Sequence, residues 1–265
     1  MPELPEIETY VRGLQGPMMG RTFTGVTILW PNSIRTPIPE LKQRLPGQQV
    51  ERLIRRGKYL QFQLSGGDTL FCHLKMSGEL LVEPRHEPLH PHVRTIFDLD
   101  NDHQLRFKDM RKFGRVYLVA DPAQVVGQLG PEPLEADFRA EDFAALFEGR
   151  RGRLKPLLMN QRFIAGIGNI YADEGCFLAG IHPARQAHSL TADELNALYH
   201  SLRQVLNQGI ICKGASFDQV YRGGAFQNHF QVYSRSGEPC LRCGTPISRI
   251  VLGGRSTHFC PNCQR

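Results

Sequence analysis

Four cysteines in the last part of the chain constrain its fold more than any other feature. They form two Cys-x-x-Cys pairs, Cys240/Cys243 and Cys260/Cys263, with sixteen residues between the pairs. This spacing is typical of a structural zinc site, because each pair can turn two thiolates toward one tetrahedral ion. Two disulfides are the alternative, but nothing else in the chain indicates an oxidising compartment. We therefore expect one structural Zn²⁺.

The start of the chain offers a nucleophile and two carboxylates. If Met1 is removed, as is usual before a small residue, Pro2 carries a free secondary amine. Such an amine can attack an electrophilic carbon and form a Schiff base, and with a reference pKa near roughly 8 it is partly unprotonated at neutral pH. Glu3 and Glu6 could supply acid–base chemistry. The alternative is a plain helix start, in which Pro5 occupies the first turn and Glu6 lies at the positive end of the helix dipole.

The distribution of positive charge predicts a polyanionic partner. The net charge is +6, and the basic residues concentrate in separate segments, which is typical of a nucleic-acid footprint. These segments are Arg52–Lys58, Arg106–Arg115, Arg150–Lys155 and Arg249–Arg265. The composition, with 41% hydrophobic residues, is that of a globular protein. No apolar stretch of membrane-spanning length and no secretory leader are present, so we expect no membrane segment and no secretion.

The chain divides into two unlike halves. Helical periodicity covers residues 6–15, and short β-branched or aromatic runs from Thr22 to Ala120 predict an all-β sandwich or barrel. A proline-rich linker follows, and then helical segments, of which the longest starts at a capping box of Thr191 and Glu194. Phe230–Tyr233 and Ile247–Leu252 are predicted as hairpin strands that carry the zinc site.

Two polar loops carry single large apolar residues, Met76 in one and Phe113 in the other, with Arg111 beside Phe113. Proteins that bend DNA often push such an apolar wedge into the base stack next to cationic side chains. A minor core contact is the alternative for each residue alone. A glycine-rich turn, Ala165–Tyr171, opens a further helix at Asn169, and its backbone N–H groups could hold a phosphate.

Together these features resemble the formamidopyrimidine-DNA glycosylases over essentially the whole chain. Six motifs occur in the same order as in the family, so the probability of a chance resemblance is very small. They are Pro2-Glu3-Leu4-Pro5-Glu6, Arg56-Gly57-Lys58-Tyr59-Leu60, His73-Leu74-x-Met76-x-Gly78, Arg111-Lys112-Phe113-Gly114, Gly168-Asn169-Ile170-Tyr171 and the cysteine hairpin with Gly254-Arg255-x-Thr257-His258. Leu4 also differs from the glycine that is typical of the sister family, endonuclease VIII.

The resemblance implies an α+β multidomain fold. Its parts would be an N-terminal β-sandwich with a leading helix at residues 1–126, a linker at 127–137, a helix–two-turn–helix domain at 138–229 and a β-hairpin zinc finger at 230–265. The implied partner is damaged double-stranded DNA, which a monomeric protein would bind in the bacterial cytoplasm, in association with the nucleoid.

The resemblance also implies a bifunctional DNA glycosylase and AP lyase acting on oxidised purines, formamidopyrimidine and 8-oxoguanine. Pro2 would attack the sugar C1′ and Glu3 would protonate the ring oxygen, and elimination would then cut the 3′ and 5′ phosphate bonds. The matching catalytic residues are Pro2, Glu3, Glu6, Lys58 and Arg255. The matching DNA-contact residues are His73, Met76, His92, Arg111, Phe113, Arg151 and Asn169.

One segment departs from the family pattern. Around Ser216–Gly224 the chain has Gly214-Ala215-Ser216-Phe217-Asp218-Gln219 and then Gly223-Gly224, whereas the family more often has Gly-Gly-Ser-Thr followed by a basic residue and a longer loop. Because this loop closes over the flipped purine in the family, an endonuclease VIII-like preference for oxidised pyrimidines stays open. A non-catalytic DNA-damage binder is a further alternative, which has no use for Pro2, Glu3 and Lys58 together. A zinc-ribbon RNA-binding protein would account for the cysteines but not for the N-terminus.

Overall fold

A computed structural model describes residues 1–216 and 223–265 of the chain. Phe217 and Asp218, on which the departure from the family pattern rests, lie outside the described residues. The chain forms two compact units: the first is Met1–Gln128, and the second combines Leu129–Ala215 with Gly224–Arg265. Within the described ranges, no helix is both long and apolar enough to cross a membrane.

The first unit is built on two antiparallel four-stranded sheets. In order across the first sheet, the strands are β1 (Phe23–Ile28), β6 (Val93–Leu99), β7 (His103–Asp109) and β5 (Gly78–Pro84). The second sheet contains β2 (Val50–Arg56), β3 (Tyr59–Leu64), β4 (Thr69–His73) and β8 (Arg115–Val119). Phe97 and Phe107 of the first sheet share one buried hydrophobic cluster with Phe62 and Leu118 of the second. The predicted β-sandwich is therefore confirmed.

Helix α1 (Leu4–Met18) closes this core. Its side chains Ile7, Val11, Leu14 and Met18 recur at helical spacing and belong to the same buried cluster. Burial of each such side chain stabilises the fold by about 1.5–3 kcal/mol. The unit also contains two short helices, α2 (Ile38–Arg44) and α3 (Ala123–Val126). Sequence periodicity does not reveal α2, because seven residues give fewer than two full helical turns of pattern.

The second unit contains four helices and a two-stranded sheet. The helices are α4 (Ala140–Ala145), α5 (Leu154–Leu158), α6 (Asn169–Ala179) and α7 (Ala192–Ile211). The predicted capping box is present at the start of α7, where Glu194 N donates to Thr191 Oγ1 at 3.2 Å and Thr191 N donates to Glu194 Oε2 at 2.8 Å. Helices α6 and α7 approach closely at Gly175, where an added Cβ would lie 2.5 Å from Leu202 Cδ2.

The hairpin of the second unit differs from the prediction. Its strands are β9 (Ser248–Leu252) and β10 (Arg255–Phe259), whereas Phe230–Tyr233 is not a strand. The backbone N–H groups of residues 231–233 instead donate to the buried carboxylate of Glu174 on α6, at 2.8–3.0 Å. A β-branched and aromatic run is thus held by a side chain, and this partner lies almost sixty residues earlier in the sequence.

Candidate functional site

The proposed nucleophile and its carboxylates lie at the start of α1. Pro2 is buried, and the side chains of Glu3 and Glu6 are each only 3% exposed. Glu6 Oε2 accepts the backbone N–H of Glu3 at 2.7 Å. Glu6 therefore acts as the reciprocal carboxylate of a helix cap, and Glu3 is held next to Pro2 in a dry environment. The residues that the sequence suggested for acid–base chemistry therefore also form the helix start that was its alternative interpretation.

Lys58 lies in the two-residue turn between β2 and β3, after Gly57, whose φ of 56° places it in the left-handed region. A lysine in such a turn is normally exposed, but Lys58 is 4% exposed. Without the family resemblance, the sequence would suggest a surface lysine on a strand at this position, and the burial of Lys58 contradicts that interpretation. Lysine is almost never fully buried unless its ammonium group is paired. Buried lysines are therefore more often functional than surface lysines are.

His73 ends β4 and is held as a neutral imidazole. It is buried, and burial together with the charges of Lys75 and Lys58 lowers the pKa of His73 to about 3. Its Nδ1 accepts the backbone N–H of Lys75 at 3.0 Å, so the ring proton is on Nε2. A neutral histidine with this tautomer donates through Nε2–H. With Lys58, Lys75 and Arg115 around it, this donor suits a phosphate oxygen.

Four of the predicted DNA-contact residues lie near Asp109 at the end of β7. Asp109 N donates to His92 O at 2.8 Å, and Arg111 N donates to Asp109 Oδ1 at 3.2 Å. The Ser77 hydroxyl, which follows Met76, also donates to Asp109 Oδ1. Two large apolar side chains remain exposed here, Met76 by 38% and Phe113 by 46%. The Arg111 guanidinium lies 5.4 Å from the centre of the Phe113 ring.

In the second unit, Asn169 is the first residue of α6, after Gly168. Its Nδ2 donates to Tyr233 Oη at 3.4 Å, and its buried Oδ1 has no hydrogen-bond partner among the described residues. A 180° flip of the Asn169 amide exchanges the positions of Oδ1 and Nδ2. Oδ1 then accepts a hydrogen bond from the Tyr233 hydroxyl, and the Nδ2 group becomes the donor that has no partner within the described residues. A donor at the positive end of a helix fits a phosphate. Arg151, in the segment before α5, and Arg255, the first residue of β10, are both exposed.

The four cysteines of the second unit fit a zinc ion. Their sulfur atoms lie within 4.8 Å of one another, with Cys243 Sγ 3.5 Å from Cys260 Sγ and Cys240 Sγ 4.0 Å from Cys263 Sγ. Tetrahedral Zn–S bonds of about 2.3 Å place sulfur atoms about 3.8 Å apart. None of the four thiols is in a disulfide. The arrangement thus agrees with one tetrahedral structural site and not with the disulfide alternative.

A buried ion pair fixes the zinc hairpin to the helices. Lys155 of α5 and Asp173 of α6 are fully buried, with Nζ 2.7 Å from Oδ1. Lys155 Nζ also donates to Ser256 O at 2.7 Å, and Asp173 Oδ2 accepts the backbone N–H of His258 at 2.9 Å. Both contacts are made to β10. The strand that begins at Arg255 is therefore held by charged groups of two helices, by Lys155 at Ser256 and by Asp173 at His258.

Two basic residues that the sequence assigned to the nucleic-acid footprint are internal. Lys155 and Arg106 are 0% exposed. Arg106 Nε donates to Gln104 Oε1 at 3.0 Å, and its Nη atoms donate to Glu83 Oε2 at 2.9 Å and to Glu87 O at 2.8 Å. Clustering along the sequence does not distinguish these two residues from surface cations. Most of the groups that bind the Lys155 ammonium and the Arg106 guanidinium lie in other segments of the chain. Ser77, Asp109 and Asp173 also gave no signal, since isolated small polar residues are common.

Family models match three segments of the chain. The formamidopyrimidine-DNA glycosylase N-terminal domain matches residues 1–116, and the formamidopyrimidine-DNA glycosylase H2TH domain matches residues 129–220. A zinc finger found in FPG and IleRS matches residues 237–265. The matched segments follow one another along the chain without overlap.

Whole proteins are similar over their full length. Formamidopyrimidine-DNA glycosylase of Herpetosiphon aurantiacus is 44% identical, with 100% of both chains covered. The protein of the same name from Chloroflexus aurantiacus is 46% identical, over 100% of this chain and 98% of that one. Among solved structures, wild-type Lactococcus lactis Fpg (MutM) in complex with DNA containing N7-benzyl-Fapy-dG aligns with a TM-score of 0.93 and 35% identity, and both chains are covered completely. MutM in complex with DNA containing carbocyclic 8-oxo-G aligns with a TM-score of 0.93 and 36% identity, again over both whole chains.

Proposed function

The chain belongs to the formamidopyrimidine-DNA glycosylase family, and we propose that Pro2 is the nucleophile with which it excises damaged bases from duplex DNA. It is a bifunctional enzyme, a DNA glycosylase and an AP lyase, with one structural zinc. The observation that carries the assignment of the nucleophile is the buried Pro2–Glu3 pair at the start of α1. A helix cap alone requires neither a proline at position 2 nor a buried carboxylate beside it.

The first step is base removal. The nitrogen of Pro2, free once Met1 is removed, forms a bond to the sugar C1′. The N-glycosidic bond breaks, the base leaves with its electron pair, and the departing base takes up the proton that the attacking Pro2 nitrogen loses. Glu3 donates a proton to the ring oxygen as the C1′–O4′ bond opens, and the nitrogen lone pair then completes a C=N bond to C1′. Glu3 suits this role because its buried side chain directly follows Pro2 in the chain, and a general acid must lie within reach of the reacting sugar.

The second step is strand cleavage. The positively charged imine acidifies the C2′ hydrogen, so loss of that proton forms the C2′–C3′ double bond and expels the 3′ phosphate. Loss of the C4′ proton then expels the 5′ phosphate, and water hydrolyses the imine. Lys58 and Arg255 carry the positive charge that stabilises the departing phosphates. Glu6 keeps Glu3 in position throughout, through its bond to the Glu3 backbone N–H.

DNA contacts are proposed for residues in each unit. In the first unit, His73 and His92 bind phosphates, and Met76, Arg111 and Phe113 enter the base stack when the damaged nucleotide leaves it. In the second unit, Arg151 and Asn169 bind phosphates. The zinc thiolates Cys240, Cys243, Cys260 and Cys263 hold the hairpin that presents Arg255, because so small a hairpin cannot order itself by burial alone.

The substrates we propose are formamidopyrimidine lesions and 8-oxoguanine, since relatives with the same fold form complexes with DNA containing such bases. The departure at Ser216–Gly224 keeps oxidised pyrimidines as the second candidate. We further propose that the enzyme acts as a monomer in the bacterial cytoplasm, with the domain boundaries expected from the sequence at residues 126, 138 and 230.

Reductive trapping tests the proposal. The wild-type protein is incubated with borohydride and duplexes carrying formamidopyrimidine, 8-oxoguanine, an oxidised pyrimidine or an abasic site. We expect a covalent protein–DNA adduct whose linkage maps to Pro2, and Pro2→Gly should lose it. An active preparation that retains Met1, shown by intact mass, would contradict the assignment. A non-catalytic damage binder would bind these duplexes without forming an adduct.

A further inference from the structure

Asp109 joins three separate segments of the first unit through its buried side chain and its backbone carbonyl. The residue is 1% exposed. Its Oδ1 accepts from the Ser77 hydroxyl and from Arg111 N, and its Oδ2 accepts from Gly114 N at 2.7 Å. Its own backbone carbonyl accepts from Arg94 Nε at 2.8 Å. The carboxylate therefore connects the turn after β4 with the loop after β7, and the backbone carbonyl adds a contact to Arg94 of β6.

The two loops that meet at Asp109 each cross from one sheet of the sandwich to the other. The turn at residues 74–77 leads from β4 of the second sheet to β5 of the first, and the loop at 110–114 leads from β7 back to β8. Gly78 and Asp109 are paired in the register of β5 and β7, which sets the loops side by side. Met76 is carried by one loop, and Arg111 and Phe113 by the other.

A closed set of hydrogen bonds fixes the backbone of Arg111. Ser77 Oγ donates to Asp109 and at the same time accepts Arg111 N at 3.0 Å, while Arg111 N also faces Asp109 Oδ1 at 3.2 Å. The two carboxylate oxygens of Asp109 provide acceptors for all three donors, from Ser77, Arg111 and Gly114. An asparagine would turn an NH₂ group toward at least one of them.

Close packing makes the base of the two loops rigid. A Cβ added to Gly78 would lie 2.5 Å from Leu74 O and 2.9 Å from Phe107 Cε2. A Cβ added to Gly114 would lie 2.2 Å from Phe107 Cζ. Both glycines thus press on the ring of Phe107, which is fully buried. Above this base, Met76 and Phe113 remain exposed, although apolar side chains of their size favour burial.

We propose that Ser77 and Asp109 are positioning residues that hold Met76, Arg111 and Phe113 as one preorganised wedge for insertion into duplex DNA. The proposal rests on the proposed function, since it concerns the step in which the damaged base leaves the stack. Preorganisation lowers the entropy cost of ordering two loops at the moment of insertion. Loss of the carboxylate should therefore slow base extrusion more than the later elimination chemistry, because an abasic site has no base left to extrude.

The test compares Asp109→Asn and Ser77→Ala with Asp102→Asn. Asp102 is an exposed residue at the opposite end of β7, and its substitution removes the same charge. For each protein we measure thermal unfolding, single-turnover excision of the lesion and cleavage of a preformed abasic duplex. The fluorescence of 2-aminopurine opposite the lesion, which rises when the neighbouring stack is opened, reports insertion of the wedge.

We expect Asp109→Asn to slow lesion excision by roughly tenfold or more, from the loss of hydrogen bonds to a charged group. Its 2-aminopurine signal should fall in rate and amplitude, whereas abasic-site cleavage should change by less than about threefold. Ser77→Ala should slow lesion excision and lower the 2-aminopurine signal in the same way but by smaller factors. If Asp109→Asn does not fold, Ser77→Ala serves as the test variant. In a Phe113→Ala background, the Asp109 substitution should add little, because its effect acts through the wedge.

Equal loss on the lesion and the abasic duplex, or an unchanged 2-aminopurine signal in a folded variant, would overturn the positioning role. Additive effects of Asp109→Asn and Phe113→Ala would do the same. Failure of the proposed function looks different: the wild-type protein itself would then form no borohydride adduct with abasic DNA.

Discussion

Glu6 Oε2 lies 2.7 Å from the backbone nitrogen of Glu3, so the second carboxylate of the N-terminus holds the residue that carries the first. This relationship gives Glu6 a structural role in the proposed catalytic set. Substitutions can therefore distinguish the capping role of Glu6 from the proposed role of Glu3 as a proton donor to the sugar.

Glu6→Ala removes the acceptor for the Glu3 N–H, whereas Glu6→Gln keeps an oxygen there. We expect Glu6→Ala to lower stability by about 1 kcal/mol, as for loss of a helix cap, and to slow lesion excision. Glu6→Gln should lose distinctly less of both. Urea unfolding and single-turnover excision measure the two effects, with Glu51→Ala, an exposed site on β2, as the matched control. Equal rates for the two Glu6 variants would mean that Glu6 acts through its charge rather than through this bond.

Glu3→Gln keeps the shape of the side chain but removes the acid. It should nearly abolish excision from a damaged duplex and spare part of the cleavage of a preformed abasic site, whose sugar can open without this proton donor. Assays of both substrates with the same protein preparation give the ratio of the excision rate to the abasic-site cleavage rate. A similar loss on both would make Glu3 a structural residue.

His73 should make stability depend on pH in a defined window. Its pKa is lowered from 6.5 to about 3 in the folded protein, so the unfolded chain binds a proton first as the pH falls. The stabilising contribution is full above about pH 6.5 and is progressively lost toward pH 3. Between pH 7 and pH 4.5, the wild type should therefore lose more free energy of unfolding than His73→Gln. Exposed His86, changed to Gln, is the control, and matching pH slopes for wild type and His73→Gln would refute the assignment.

Arg106 should orient the loop that carries His92. Its Nη2 donates to the backbone oxygens of Pro84 and Glu87, which lie at the start of the loop between β5 and β6. Lysine cannot reproduce this fork of donors. Arg106→Lys should lower the free energy of unfolding by about 1–3 kcal/mol and weaken DNA binding, whereas Arg85→Lys, at a half-exposed neighbour, should change neither much. If Arg106→Lys bound DNA with unchanged affinity, Arg106 would have no influence on DNA binding through this loop.

Zinc removal should affect DNA binding and leave the β-sandwich folded. Chelation or Cys243→Ser frees the hairpin, so affinity for lesion DNA should fall while the unfolding transition of the first unit persists. Arg255→Ala should weaken binding with zinc retained and reduce the salt dependence by about one phosphate contact. Zinc content, thermal unfolding and affinity across a salt series are the measurements, with Arg12→Ala as an exposed control. Tight binding by the zinc-free protein would exclude the hairpin from the DNA site.

Local patterns in the sequence predicted those parts of the molecule whose partners are near in the chain. The Cys-x-x-Cys pairs and the Thr191–Glu194 capping box are of this kind, and both are present. The strand predicted at Phe230–Tyr233 is absent, because the group that binds this segment, Glu174, is distant in sequence. The surface position expected for Lys155 is wrong for the same reason, because one of its partners is Ser256, 101 residues later in the chain.

The buried Lys155–Asp173 pair has a consequence for the order in which the second unit folds during synthesis. Helices α5 and α6 leave the ribosome well before β10, since Lys155 and Ser256 are 101 residues apart and Asp173 and His258 are 85 apart. Until β10 emerges, two charged groups lack partners that they have in the finished protein, and such groups are costly to bury. Contacts of this separation are also slow to form. We therefore expect the nascent helical segment to stay loosely packed until β10 has been made, with a long-range docking step as its last folding step.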